Sequence, residues 1–170
     1  MFSIGFADLD GLAKHSIERR ANETEAIGRF GGALWDDTQA EAFCQEVLRG
    51  LERDSWQLPP EQVAERFKAV PELMPHTLSD CLHELAYWNE LYRLRNACDT
   101  QGYYENSIEA HARDWFVFGL LAELRPRNRE EARATLRYLM GSERDDAPEA
   151  ERTPDNLIGQ PDTPGGGVDA

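Results

Sequence analysis

The stretch S107-I-E-A-H-A-R-D-W-F-V-F-G-L-L-A-E-L124 decides the reading of this chain. From Trp115 to Leu124 it is apolar on every side except at Glu123. A helix that is hydrophobic all round must be enclosed by other helices. The run is too short to cross a bilayer, which takes roughly 20 apolar residues. It is therefore predicted as the buried central helix, over about 106–124, of an all-α bundle with five to six helices.

Working toward the N-terminus, Thr77 and Asp80 form a variant capping box, in which a hydroxyl and a carboxylate satisfy free first-turn amides. They open a helix running to about Ala97, with Leu78, Cys81, Leu82, Leu85, Trp88 and Tyr92 as its buried face. Pro60 suits the first turn of a shorter helix, whose inner face is Val63, Phe67 and Val70, and Pro71 ends it. Asp36-Asp37-Thr38 opens another. Its apolar stripe is Ala40, Phe43, Val47, Leu48 and Leu51, and Glu41, Gln45, Arg49 and Glu52 fall on the opposite side. A first helix, capped by Asp8 or Asp10, is expected from about Gly11 to Arg20 and on toward Phe30, with Leu12, Ile17, Ile27 and Phe30 turned inward and Gly31-Gly32 ending it. Phe2, Ile4 and Phe6 alternate with small residues as a short extended arm.

Toward the C-terminus, Arg125-Pro126 stops the central helix. Asn128 and Glu131 open a last one, with Ala132, Leu136, Leu139 and Met140 facing in and Gly141 terminating. Residues 142–170 then turn rich in Pro, Gly and acids and read as a disordered tail, which leaves 1–141 as the helical domain.

The net charge is −14. The tail holds 8 acids against 2 bases, and residues 1–141 hold 24 acids against 16 bases. Such a surface argues against direct binding of nucleic acid, whose backbone is gripped by clustered Lys and Arg. Cys44, Cys81 and Cys98 are odd in number and show no metal-ligand spacing, so they read as buried, reduced thiols of a cytoplasmic protein. The N-terminus lacks the basic and apolar regions of a signal peptide, and no membrane association is expected.

No Gly-rich phosphate loop, nucleophile elbow or zinc spacing appears, and no catalytic residue or cofactor is expected. A further alternative is a helical metalloenzyme, with a metal site from Asp80 and His83 on one helix and His111 and Asp114 on another, each pair sharing a face at three-residue spacing. The ordinary explanation competes with it: Asp80 already caps its helix, and the Glu-x-x-His form of bundle sites is missing.

Charge distribution carries more. Between Asp36 and Glu84 there are 11 acids and 4 bases. The sequence thus points to a non-enzymatic acidic binding protein that docks on a basic protein partner. An inhibitor that occupies the nucleic-acid-binding surface of that partner would have this composition. Asp36, Asp37, Glu41, Glu46, Glu52, Asp54, Glu61 and Glu65 are the candidate contacts. Arg129, Arg133 and Arg137 repeat every fourth residue and offer an alternative, a subunit or adaptor of a larger assembly that docks through an arginine stripe. A solvated, solubilising surface explains either set without a partner. Trp35, Trp56, Tyr103 and Tyr104 lie in connectors, where an aromatic side chain either anchors a partner or folds back on the core.

Overall fold

The computed structural model describes residues 9–30, 34–53, 57–99, 104–144 and 146–158, with the backbone alone for residues 9–13. The described residues form α1 (Leu9–Phe30), α2 (Gln39–Val47), α3 (Pro60–Lys68), a 3-10 turn (Pro71–Leu73), α4 (Leu78–Cys98), α5 (Ile108–Leu120), α6 (Arg129–Gly141) and α7 (Pro148–Ile158). No strand occurs among the described residues, and no helix there is long and apolar enough to cross a membrane. The all-α class is as predicted. The N-terminal arm and Gly31-Gly32 lie outside the described residues.

α4 and α5 pack against each other at the centre. α5 also meets α2 and α3, whereas α4 meets α1 and α6. The local reasons are those of the sequence. Thr38 accepts from the Glu41 amide while the Glu41 carboxylate accepts from the Thr38 amide, closing a capping box on α2. Thr77 and Asp80 do the same for α4. Pro60 occupies the first turn of α3. Ser107 caps α5 and Asn128 caps α6, each accepting from the amide three residues on.

The core divides around α5. On one side Cys44, Leu48, Val63, Phe67, Trp88 and Leu91 pack together, and on the other Leu78, Cys81, Leu85, Val117, Phe118 and Leu121 do. Phe67 is the keystone of the first cluster, with its ring 5.2 Å from that of Phe116 and 6.1 Å from that of Phe43. All three cysteines are buried free thiols.

Several faces differ from the prediction. On α1, Ile17 and Ile27 are exposed, and Ala26 and Phe30 make the inward contact with Leu34, Leu94 and Cys98. Among the helices α1 packs mainly along α4, so a narrow stripe of it is needed inside. On α4, Tyr92 is exposed, and the buried line continues through Leu91, Leu94, Arg95 and Cys98. An α-helix of 3.6 residues per turn carries the buried line from Trp88 to Leu91 and Leu94–Arg95, past Tyr92. On α5, Trp115 is 37% exposed, and Arg113 and Asp114 are buried. On α6, Leu136 and Met140 face outward, Met140 at 87% exposure, and Glu131 and Thr135 turn in.

Charge enters the core in pairs. Glu41, expected on the outer side of α2, is 1% exposed and salt-bridged to Arg95 of α4. Arg113 donates to both oxygens of Glu84 at 2.6 and 2.9 Å and to the Leu73 carbonyl at 3.0 Å, with its guanidinium 4.7 Å from the Phe67 ring centroid. The Glu131 carboxylate accepts from the amide and hydroxyl of Ser79 at the start of α4 and from the Arg127 amide. Each of these buried charges is paired and hydrogen-bonded, which is the condition for tolerating it away from water.

The tail also differs. Residues 148–158 form a helix, with Ala147 and Thr153 buried. Asn156 donates to the carbonyls of Leu121 and Leu124, at 3.2 and 2.6 Å, where α5 ends and its last carbonyls lack helical partners. Residues 159–170 lie outside the described residues.

Candidate functional site

The turn between α1 and α2 is built from below by one arginine. Arg95 is 1% exposed and sits on the inner line of α4. Its Nε donates to the Leu34 carbonyl at 2.7 Å and its Nη2 to the Asp36 carbonyl at 3.0 Å, so it holds the backbone on both sides of Trp35. The same guanidinium is met by Glu41, with Nη2 to Oε2 at 2.9 Å, and by the Tyr104 hydroxyl. Its centre also lies 4.9 Å from the Tyr104 ring centroid. Burial alone would raise the Glu41 carboxyl, but the bonds from Arg95 and Thr38 hold it below the ordinary carboxylate range. Glu41 is therefore an internal anion that orients Arg95.

Above this anchor Trp35 is 56% exposed, and its ring stands 5.9 Å from that of Tyr104. Asp36 and Asp37 are exposed beside it, and Gln45 donates to Asp37 at 2.9 Å. A large aromatic side chain on a clamped turn, flanked by two carboxylates, is chemically suited to insert into a partner while meeting Lys or Arg around the insertion.

The other candidate acids do not form one group. Glu46 and Glu52 are exposed near the end of α2, with Glu46 bonded to Arg49 at 2.7 Å. Glu61 and Glu65 are exposed on one face of α3, one turn apart. Asp54 lies outside the described residues, as do Trp56 and Tyr103. Glu41 is removed from the surface set, because it is buried against Arg95. The acidic balance read between Asp36 and Glu84 is weaker at the surface for a related reason: Glu84 is bonded to Arg113, whose charge offsets it.

Arg129, Arg133 and Arg137 are all exposed along α6, and none makes an ion pair among the described residues. Glu131 bonds Arg127 rather than the stripe. Of the weak metal set, Asp80 is an exposed cap, held below the ordinary range first by the Thr77 hydroxyl. His83 and His111 are exposed, and Asp114 is buried against Arg144. Among the described residues no group of three or more His, Cys, Asp or Glu stands where it could hold a metal ion.

Arg95 is the residue that sequence reasoning passed over. The signal was present: it continues the apolar line of Trp88, Leu91, Leu94 and Cys98, where an arginine must find buried acceptors. Comparison with protein-family models, with curated proteins and with solved structures finds no match to this chain.

Proposed function

We propose that the chain is a non-enzymatic binding protein that docks on a basic protein partner, with Trp35 as the inserted anchor and Asp36 and Asp37 as the charged rim. The observation that carries this reading is the clamp of Arg95 on the carbonyls of Leu34 and Asp36, which holds an exposed tryptophan in place. A preorganised anchor loses less conformational freedom on binding than a mobile one, so more of its burial appears as affinity. Glu46, Glu52, Glu61 and Glu65 add negative potential that speeds encounter with a cationic surface. Such a partner surface would be one that otherwise binds nucleic acid, and the chain would then act as its inhibitor.

The test is affinity capture from host lysate with the full chain, after nuclease treatment, beside Trp35→Ala and Asp36→Lys/Asp37→Lys. The expected partner is retained by the wild type, released at high salt and lost with either variant. Retention by both variants would sink the reading.

A second reading, docking through α6 as a subunit or adaptor, is favoured by one observation. Leu136 and Met140 are exposed on the same outward face as Arg129, Arg133 and Arg137. That face would suit an acidic amphipathic segment, and Met140→Glu with Arg133→Glu would abolish it.

A further inference from the structure

A groove of about 460 Å³ opens between α3 and α5. Val63, Phe116 and Leu120 give it an apolar lining, and the half-exposed Trp115 stands at its side. Its α5 side runs from Ile108 to Leu120, about 18 Å at the helical rise per residue. Among the described residues that line it, three are carboxylates, Glu61, Glu123 and Glu149, and one is an ammonium, Lys68. Lys68 is bonded to Glu123 at 3.6 Å, so Glu61 and Glu149 stay without an ion pair among the described residues. The groove is apolar inside and negative at its rim.

The outer face of α6 has the opposite character. Arg129, Arg133 and Arg137 lie along it without an ion pair among the described residues, and Leu136 and Met140 are exposed between and beside them. Single exposed apolar side chains are ordinary. Two of them one turn apart, set among three unmatched arginines, make a basic amphipathic face with nothing over it. From Arg129 to Met140 that face is about 16 Å long, close to the length of the groove.

Each surface therefore supplies what the other lacks. A helix about 10 Å across is too wide to enter 460 Å³, so it would lie along the mouth and insert side chains, as amphipathic helices do in grooves. Leu136 and Met140 are the pair to insert, and a methionine adapts its shape to an irregular wall. Within one chain, buried Glu131 and Thr135 hold α6 on α4 with this face outward, so α6 cannot turn into its own groove. A second copy carries both surfaces at equal concentration. The net charge of −14 opposes that approach, but charges further apart than about 8 Å are largely screened at physiological salt, and the contact itself joins opposite signs.

We infer that the chain self-associates, with the α6 face of one copy seated over the α3–α5 groove of another. Leu136 and Met140 enter the groove, and the arginines meet Glu61 and Glu149. This rests on the second reading above, docking through α6, and names its partner. The Trp35 turn takes no part.

The experiment is sedimentation velocity on the full chain, carried to about 500 μM because contacts of this small size are weak. The wild type should sediment faster as concentration rises. Arg133→Glu/Met140→Glu spoils the helix face, and Glu61→Arg/Glu149→Arg spoils the groove rim; each should weaken association by about tenfold or more, the scale of losing interface anchors. The second variant is less acidic than the wild type, so its loss cannot come from general repulsion. Mixing the two variants should restore a 1:1 complex that grows no further, because one brings an intact groove and the other an intact α6 face. All four positions lie outside the buried core, and circular dichroism checks that both variants fold. Undiminished association in either variant, or a mixture that stays monomeric, overturns the inference. A wild type that is monomeric throughout overturns it too, and the α6 reading falls with it only if Arg133→Glu/Met140→Glu keeps every partner that the wild type captures from host lysate.

Discussion

Glu41 and Arg95 lie 54 residues apart in sequence and meet in the interior, with Arg95 Nη2 at 2.9 Å from Glu41 Oε2 and each side chain almost wholly out of water. Removing one partner leaves the other charge buried and unpaired, which costs about 3–5 kcal/mol. Glu41→Ala and Arg95→Met should each lower stability on that scale, read by urea unfolding. Replacing both together, Glu41→Leu with Arg95→Met, should recover most of the loss, because the desolvation of two ions is removed along with their attraction. A double variant as unstable as the singles would mean that the bonds from Arg95 to the Leu34 and Asp36 carbonyls matter more than the ion pair.

The turn above that pair separates presentation from stability. Trp35 is more than half exposed, so Trp35→Ala should shift unfolding by no more than about 0.5 kcal/mol, as surface substitutions do. Under the proposed function the same change removes partner binding. A large loss of stability instead would make Trp35 a structural cover over Tyr104 rather than an anchor.

What the sequence made legible was the apolar pattern and the helix starts. Thr38, Pro60, Thr77 and Asn128 open their helices as read, and Val63, Phe67, Leu78, Cys81 and Leu85 are buried as read. The buried charges were not legible, because periodicity sends every charged residue to solvent. Glu41, Arg95, Arg113, Asp114 and Glu131 are held inside by partners that sequence spacing does not reveal, such as Ser79 for Glu131, 52 residues away. α7 escaped for a related reason. Its own composition is polar, and Asn156 bonds the end of α5 while Thr153 is buried, so its order depends on a neighbour. Asp36 and Asp37 are exposed in the turn before α2, and the clamp beneath them did not show until the fold brought Arg95 to the turn.

Glu131 gives the bundle a pH dependence with a definite sign. Burial alone would raise its carboxyl, yet the Arg127 amide and guanidinium and the Ser79 amide and hydroxyl hold it down to about 2, from an ordinary 4.5. A folded value below the unfolded one stabilises in full above about 4.5, and that contribution is lost as pH falls toward about 2. The shift corresponds to about 3 kcal/mol. Glu131→Gln should therefore cost up to that much at neutral pH, and the gap between variant and wild type should close in acid. A gap that stays constant down to pH 2 would show that the acceptor geometry, rather than the charge, ties α6 to α4.

Cys44 and Cys81 should be inert in the folded chain. Burial pushes both thiols up to about 12, so almost no thiolate exists at neutral pH, and neither sulfur meets solvent. Thiol reagent should label neither until urea unfolds the chain, and the labelling rate should follow the unfolding curve. Rapid labelling of Cys44 in native buffer would mean that the α2 side of the core opens on its own.

Truncation separates a packed α7 from an inert tail. Ending the chain at Ser142 removes Arg144, which leaves Asp114 buried without its cation, and removes Asn156, which leaves the carbonyls of Leu121 and Leu124 without that donor. Burial already lifts the Asp114 carboxyl above its ordinary range by more than Arg144 draws it down, so the stranded group would be driven to its neutral form. The truncated chain should lose about 3 kcal/mol or more, and it should lose less in acid, where protonation of Asp114 comes more easily. Ending at Ile158 instead keeps Arg144 and the whole of α7 and should leave unfolding unchanged. If both truncations unfold together with the full chain, α7 contributes nothing to the bundle and the contacts of Asn156 carry no weight.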